Sequence, residues 1–211
     1  MPDFGAFHLA DAKAFTDRCE VLRALLIEGN ARCNLTRITE KDEFFQKHVY
    51  DSLLIALEFP EIAEKPYLIA DVGCGAGFPS LVLALAYPRL HIISIDSTGK
   101  KIDFVKSAAA ALKLTNLTAI QGRAVELNRK EEFRHKFDLV TARAVAPSPK
   151  IAAETTNFLN RAGFYAFYKT PNQAAEELPQ LAKDNRYKWR VSVTRTLDYG
   201  ERCFVTGEKK A

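Results

Sequence analysis

The chain has 211 residues, of which 47% are hydrophobic and 27% charged, a composition typical of a globular protein. Thirty basic residues against 26 acidic ones give a net charge of +4. No apolar run reaches the ~18 residues that a membrane helix requires, and the four cysteines include no CxxC pair. These features argue against a membrane protein, a structural zinc site and a disulfide framework, and they favour a reducing cytoplasm.

Two amphipathic helices are predicted at the beginning of the chain. Apolar residues recur at helical spacing over residues 6–28 and again over residues 42–58. We expect residues 1–60 to form a helical cover over a cleft that belongs to residues 61–211. The length fits one domain that comprises residues 1–211.

From residue 67 onward the pattern alternates between strands and helices, which indicates a mostly parallel sheet flanked by helices. The predicted strands are residues 67–72, 91–96, 117–120, 137–141, 164–168, 188–197 and 202–207. The predicted helices are residues 79–87, 99–114, 149–161 and 173–183. The last two strands flank Asp198-Tyr199-Gly200 and are expected to form an antiparallel hairpin. The fold class is therefore α/β, Rossmann-like, with seven strands.

A glycine-rich turn follows the first of these strands, where residues 71–79 have the sequence DVGCGAGFP. Glycines let the backbone turn sharply and approach a ligand, and the next helix presents free N–H groups. A dinucleotide fingerprint has glycines at relative positions one, three and six. Here they occupy positions one, three and five (Gly73, Gly75 and Gly77). Asp71 suits a cationic amino group better than a pyrophosphate, so the turn resembles the first motif of S-adenosylmethionine-dependent methyltransferases.

A carboxylate ends the second predicted strand. Asp96 stands nineteen residues after Gly77 and is followed by Ser97. In doubly wound folds an acid about 20 residues beyond the glycine turn accepts hydrogen bonds from a ribose. The alternative is that Asp96 caps the helix that begins near Gly99.

Basic residues follow three further strands, namely Arg123, Arg143 and Lys169. Ligands of open parallel sheets bind at the carboxyl ends of strands, where such cations hold a carboxylate, a phosphate or a base edge. Surface cations near strand ends are the alternative. Residues 181–211 contain eight basic and four acidic residues. This excess suits either a polyanionic partner or an ordinary solvated surface.

Several catalytic signatures are missing. The fourth strand is followed by Thr141-Ala142-Arg143-Ala144-Val145 and not by the Asn/Asp-Pro-Pro-aromatic turn of amine methylation. No cysteine nucleophile follows the fourth or fifth strand, and no general base stands at the strand ends. Such a site suits an acceptor with its own lone pair, such as guanine N7, for which alignment supplies most of the catalysis.

Ordered motifs along nearly the whole chain resemble the ribosomal RNA small-subunit methyltransferase G family, also called glucose-inhibited division protein B. The motifs are Asn34-Leu35-Thr36, His48 with Asp51-Ser52, residues 71–79, Asp96-Ser97 with Lys100, Arg123 with Val125-Glu126, Arg143-Ala144, Tyr165 with Lys169, and Glu201-Arg202. The resemblance implies a class I methyltransferase fold and transfer of methyl from S-adenosylmethionine to guanine N7 in 16S ribosomal RNA. The implied partner is the small ribosomal subunit or its precursor, and the implied enzyme is a cytoplasmic monomer without metal.

The resemblance also implies roles for individual residues. The implied cofactor contacts are Asp71, Gly73, Gly75, Gly77, Phe78, Asp96, Ser97, Ala124, Val125 and Arg143. The implied catalytic residues, which contact RNA or the target base, are Arg143, Arg123, Lys169 and Arg202. The chain departs from the family at Ala142, Thr170-Pro171 and Cys203, so the loop after the fifth strand is expected to differ in shape.

Four polar residues near the N-terminus allow two interpretations. His48 and Asp51 share a helix face, and support of the helical cover is favoured over catalysis. Asn34 and Thr36 are interpreted first as turn and cap residues and second as cleft-facing residues.

The function has three alternatives. A small-molecule methyltransferase would keep the cofactor site, and an RNA-binding assembly protein would keep only the fold. The displaced third glycine disfavours a nicotinamide dehydrogenase.

Overall fold

A mixed eight-stranded sheet forms the centre of the computed structural model, which describes residues 2–210. The strands are β1 (Leu68–Val72), β2 (His91–Asp96), β3 (Leu117–Gln121), β4 (Phe137–Arg143), β5 (Leu159–Lys169), β6 (Tyr187–Val191), β7 (Arg195–Leu197) and β8 (Gly200–Lys209). Their order is β3, β2, β1, β4, β5, β8, β6, with the short β7 paired to β8. Strands β1 to β5 are parallel, and β8 is antiparallel to β5, β6 and β7. The carboxyl ends of the parallel strands therefore share one edge of the sheet.

Helices cover both faces of this sheet. They are α1 (Ala12–Asn30), α2 (Lys41–Glu43), α3 (Asp51–Glu58), α4 (Ser80–Ala86), α5 (Gly99–Ala111), α6 (Ala124–Leu127), α7 (Ser148–Glu154) and α8 (Pro171–Leu181). A π-helical segment, Phe44–Tyr50, joins α2 to α3 without a break. None of the helices in residues 2–210 has both the length and the apolar character needed to cross a bilayer.

Successive strand residues belong to two separate cores, because side chains alternate between the faces of a sheet. Ile69 and Leu139 pack with helices α1, α3, α4 and α5, whereas their neighbours Ala70 and Val140 pack with α6, α7 and α8. Both faces of the central strands are buried, which explains their nearly continuous apolar sequences.

The N-terminal helices share the first of these cores. The Asp11 carboxylate caps α1 by accepting a hydrogen bond from the Ala14 N–H, and the buried stripe of this helix includes Leu22 and Leu26. Because the stripe packs against α4 and α5, the cover is continuous with the sheet domain.

The predicted α/β class and the antiparallel C-terminal hairpin are confirmed, but several predicted bounds were wrong. Helix α1 begins at Ala12 because residues 5–7 form a separate 3₁₀ turn that buries Phe7. The predicted helix 149–161 ends at Glu154, since Phe158 and Leu159 are buried as the chain enters β5.

The predicted strand 188–197 is also divided, into β6 and β7. At the break, the Ser192 hydroxyl oxygen accepts a hydrogen bond from the Phe204 N–H at 2.8 Å. The sequence did not predict the four-residue helix α6.

We expect the Leu22→Ala substitution to lower the free energy of unfolding by about 2–5 kcal/mol, because it leaves a cavity in the shared core. Chemical denaturation should show one cooperative transition. Val21→Ala, at a 49% exposed position on the same helix, should change stability by no more than about 0.5 kcal/mol. Two separate transitions would contradict a single domain.

Candidate active site

The glycine turn between β1 and α4 has a conformation that its sequence requires. Gly73, Gly75 and Gly77 all have positive φ values, of 71°, 56° and 86°, a region that L side chains rarely adopt. A Cβ atom on Gly73 would lie 2.4 Å from the Val145 side chain, whereas a Cβ on Gly75 would meet nothing within 4 Å. The turn is therefore closed by Val145 on one side and open to a ligand at Gly75.

Asp96 holds this turn in place. Its Oδ2 atom accepts a hydrogen bond from the Gly75 N–H at 3.0 Å, and Oδ1 accepts one from the Thr98 N–H at 2.8 Å. The N-cap of α5 is Thr98, so Asp96 does not cap the helix in the predicted sense. Since each carboxylate oxygen has two lone pairs, the 8% exposed Asp96 retains acceptor capacity.

Three cavities follow one another along the carboxyl edge of the sheet. The first cavity, about 400 Å³, is lined by Gly122, Arg123, Ala124 and Val125, and the second, about 390 Å³, by Thr36, Gly75, Ala76 and Phe78. The third cavity, about 360 Å³, is lined by Asp51, Tyr168, Lys169, Gln173 and Arg202. Gly73, Asp96, Ser97 and Val145 line both the first and the second, while His48, Arg143 and Ala144 line both the second and the third. The cavities thus form one continuous groove.

Asp71 lies behind the glycine turn and is 1% exposed. Its Oδ2 atom accepts a hydrogen bond from the Ser80 hydroxyl, and its Oδ1 atom is buried without a partner. Burial raises the pKa of this carboxyl to about 6. An unpaired buried oxygen at this place fits an acid that contributes to ligand binding, although Asp71 does not line the three cavities.

Asp51, at the start of α3, forms ion pairs with two arginines. Its Oδ2 atom accepts a hydrogen bond from Arg143 Nη1 at 3.0 Å, and its Oδ1 atom accepts one from Arg202 Nε at 2.9 Å. The Asp51 side chain is only 7% exposed. The carboxylate thus links α3 to the end of β4 and the beginning of β8.

His48 lies between Phe78 and Arg143. Its ring stacks on the Phe78 ring, with centroids 4.2 Å apart and planes 6° apart. Nδ1 lies 3.3 Å from Arg143 Nη2, and Nε2 lies 3.1 Å from Thr36 Oγ1. Burial, reinforced by the charge of Arg143, lowers the pKa of His48 from 6.5 to about 3, so the ring is neutral at pH 7.

The partners of His48 fix its tautomer. A guanidinium group can only donate, so Nδ1 accepts from Arg143 and Nε2–H donates to Thr36. The Thr36 hydroxyl oxygen also accepts from the Ile38 N–H at 3.1 Å. Thr36 therefore keeps its own hydroxyl hydrogen for a ligand in the second cavity, and it is both a turn residue and a cleft residue.

Lys169 is 8% exposed and bonded to two protein acceptors. Its Nζ atom donates to Glu177 Oε1 at 2.9 Å and to the Ala146 carbonyl at 3.3 Å. Glu177 Oε2 accepts from the Ser148 N–H at 2.8 Å. Burial opposes ionisation of Glu177, but its bonds to Ser148 and Lys169 outweigh this effect and keep its pKa below the usual value. Lys169 therefore fastens the segment after β4.

The four predicted catalytic cations are not all brought together. Arg143, Lys169 and Arg202 line the third cavity, whereas Arg123 lines the first. Sequence reasoning missed Gln173, which also lines the third cavity. Thr170 and Gln173 form a capping box at the start of α8, and the spacing Thr-Pro-x-Gln is a signal that predicts one.

The third cavity is rich in hydrogen-bond donors. Its acid, Asp51, has both oxygens bonded to guanidinium groups, so it offers little to a ligand. Within residues 2–210 there is no group of three side chains suited to hold a metal ion. The arrangement favours a ligand that presents acceptor atoms.

The fold is the Rossmann-like fold found in S-adenosylmethionine-dependent methyltransferases. Among solved structures, the fold is similar to the YcgJ protein from Bacillus subtilis, with a TM-score of 0.61, 15% identity, and coverage of 78% of this chain and 100% of that one. It is also similar to an S-adenosylmethionine-dependent methyltransferase from Aquifex aeolicus, with a TM-score of 0.61, 14% identity, and coverage of 81% and 94%.

A family model described as rRNA small subunit methyltransferase G matches residues 17–201. A protein with that name from Gloeobacter violaceus is 43% identical over 164 residues, which span 78% of this chain and 64% of the relative. One from Moorella thermoacetica is 37% identical over 183 residues, which span 83% of this chain and 75% of the relative. The chain belongs to the rRNA small subunit methyltransferase G family.

We expect the imidazole of His48 to remain unprotonated from pH 5 to pH 8, because its pKa of about 3 lies well below this range. The Arg143→Gln substitution removes the neighbouring cation and should raise that pKa towards 6.5 without reaching it, since burial is the larger cause. Nitrogen NMR of the His48 ring measures this pKa in the wild type and in the variant. A wild-type His48 that titrates near 6.5 would contradict the buried network.

If Lys169 acts by fastening the segment after β4, then Lys169→Met and Glu177→Gln should lower methyl transfer to a similar extent, up to about 10²-fold. The double variant should lose little more activity than either single variant, because both substitutions remove the same ion pair. Steady-state kinetics of the three variants test this expectation. Full activity of Glu177→Gln beside an inactive Lys169→Met would instead indicate direct contact of Lys169 with substrate.

Proposed function

We propose that this protein transfers a methyl group from S-adenosylmethionine to N7 of a guanosine in 16S ribosomal RNA, in the small ribosomal subunit or its precursor. The observation that carries the proposal is the continuous groove, which runs from the glycine turn and Asp96 to a donor-rich third cavity. The membership of the chain in the rRNA small subunit methyltransferase G family supports the nature of the substrate.

The first and second cavities suit the two halves of S-adenosylmethionine. Asp96 retains lone pairs for a ribose diol, and the backbone at Ala124 and Val125 borders the space for the adenine. The second cavity takes the methionine end, beside Gly75 and Phe78. When bound, the cofactor supplies an electrophilic methyl group on a sulfonium.

The third cavity suits the acceptor base. The Hoogsteen edge of guanine presents O6 and N7, which are both acceptors, and the cavity offers donors from Arg143 and Arg202. Guanine N7 already has a lone pair, so no general base is required. His48 does not serve as one, because its pKa is low and its Nδ1 is bonded to Arg143.

Arg143 and Arg202 contact O6 or a phosphate and not N7. Methyl transfer makes the guanine ring positive, so a cation at N7 would oppose the reaction. The main contribution of the protein is therefore alignment of the base, which is worth several orders of magnitude in rate. Lys169 contributes indirectly, through its bonds to Glu177 and Ala146.

We further propose that the enzyme acts as a cytoplasmic monomer. The proposed substrate, ribosomal RNA, is found in that compartment, and residues of one chain line all three cavities.

The test of the proposed function is mass-spectrometric mapping of 7-methylguanosine in 16S ribosomal RNA from cells with and without this protein. The modification should be absent without it, and the purified protein with S-adenosylmethionine should restore it. Free guanosine serves as the comparison substrate. Methylation of free guanosine without methylation of ribosomal RNA would favour a small-molecule enzyme.

We expect Arg143→Ala to lower kcat/KM for ribosomal RNA by at least about 10²-fold, because it removes the donor shared by the second and third cavities. The fold should persist, since Asp51 keeps its ion pair with Arg202. Arg143→Lys keeps the charge but loses the forked geometry of the guanidinium. Its activity should lie between that of the wild type and that of Arg143→Ala. Titration calorimetry with S-adenosylmethionine separates cofactor affinity from transfer. Full turnover by Arg143→Ala would refute this role.

A further inference from the structure

The basic residues of the C-terminal region lie mostly away from the groove. They are Lys183, Arg186, Lys188, Arg190, Arg195, Arg202, Lys209 and Lys210. In β8, Glu208 lies opposite Lys188 of β6 and also opposite Phe164 of β5, which in turn pairs with Leu139 near the start of β4. Lys188 and Lys209 are thus at the amino end of the parallel strands, whereas the groove follows their carboxyl ends. Of the eight residues, Arg202 lines the third cavity and the others line none of the three.

A different set of cations borders the groove. A fourth cavity, of about 350 Å³, lies between the loop that follows α1 and the first turn of α5. Its charged lining residues are Arg32, Lys100 and Lys101, which are all basic. Leu35, Thr98 and Lys101 also line the second cavity, so the fourth cavity is continuous with the groove.

The loop 31–39 extends this basic border past the second cavity to the third. Leu35 and Thr36 line the second cavity and Ile38 lines the third. The exposed Arg37 stands between them in the chain. We call the surface formed by Arg32, Arg37, Lys100 and Lys101 the basic rim.

Most of the charge on the basic rim is uncompensated. Arg32 pairs with Glu28 at 2.8 Å. Within residues 2–210, the side chains of Arg37, Lys100 and Lys101 form no ion pair or hydrogen bond. Glu28 and Asp103 line a neighbouring cavity that Arg32 and Lys100 also line. Three of the four cations of the rim are therefore available to an anion.

The loop that carries Arg32 and Arg37 is held in shape by hydrogen bonds. The Asn30 side chain accepts hydrogen bonds from the Leu35 N–H at 2.8 Å and from the Thr36 N–H at 3.0 Å. Both bonds are accepted by Asn30 Oδ1, so the amide nitrogen of Asn30 can still donate. A preformed loop with spare donors loses little conformational entropy when it binds.

We propose that the basic rim binds the phosphodiester backbone of the substrate RNA beside the methylated guanosine. The inference rests on the proposed function, which places the target base in the third cavity. Phosphates next to that base must leave the groove over one of its borders, and the basic rim offers cations without partners there. Arginine and lysine contacts to phosphate supply most of the affinity of such complexes and position the RNA without reading its sequence.

The test compares two double variants that remove equal charge. Arg37→Gln with Lys100→Gln weakens the rim at residues that line none of the first three cavities. The control is Lys106→Gln with Lys188→Gln, which removes one exposed cation further along α5 and another from β6. The probes are a 16S ribosomal RNA transcript and purified small subunits, and binding is measured over a range of salt concentrations.

We expect the rim variant to bind the transcript roughly tenfold more weakly at low salt, with the slope of log Kd against log salt reduced by about 0.7–0.9 for each lost contact. Its affinity for S-adenosylmethionine and its kcat at saturating RNA should match the wild type. The control variant should retain the wild-type slope.

Each outcome separates the rim from the proposed function. Equal slopes for the rim variant and the wild type, or equal losses in the two variants, would overturn the inference while leaving methylation of guanosine intact. A reduced slope in the rim variant, together with wild-type protein that methylates no RNA, would support the rim and overturn the enzymatic proposal.

Discussion

The carboxylate of Asp51 bonds two guanidinium groups that come from different strands, Arg143 from β4 and Arg202 from β8. Asp51 itself belongs to the helical cover, so one buried group connects three parts of the chain. Loss of the Asp51 carboxylate would leave both guanidinium groups without their acid, and removal of one side of a buried ion pair costs about 3–5 kcal/mol. The π-helical segment ends immediately before Asp51, and π-helical turns are frequent at functional sites. The donors of the third cavity therefore depend on how the cover is seated.

The parts of the site that the sequence predicted are those that local geometry determines. The positive φ angles at Gly73 and Gly75 can be expected from residue type and spacing alone. Asp96 ends the strand adjacent to β1, so a single strand–helix–strand unit brings it to the glycine turn, where it accepts the Gly75 N–H. Residues less than about 30 positions apart were sufficient for that prediction.

Sequence reasoning failed where the order of strands or an ion pair decides the outcome. The expectation that ligands bind at the carboxyl ends of strands applies equally to Arg123 and Lys169. However, Arg123 follows β3 at the edge of the sheet, and three strands separate β3 from β5, which ends at Lys169. The number of charges in the C-terminal region also does not show where they lie. The antiparallel register of β6 and β8 places Lys188 at the end of the sheet opposite the groove. The bond between Lys169 and Glu177 depends on how α8 packs, and no spacing in the sequence indicates it.

The electrostatics of the groove limit the chemistry that it can perform. His48 is neutral at pH 7 and its Nδ1 is occupied, while both oxygens of Asp51 are bonded to arginines. Asp71 lies behind the glycine turn and is bonded to Ser80, so it does not reach an acceptor in the third cavity. None of these groups removes a proton from a substrate there. An acceptor that must lose a proton before methylation is therefore poorly served, whereas a purine ring nitrogen with its own lone pair requires only orientation and a field that does not oppose the positive charge it gains.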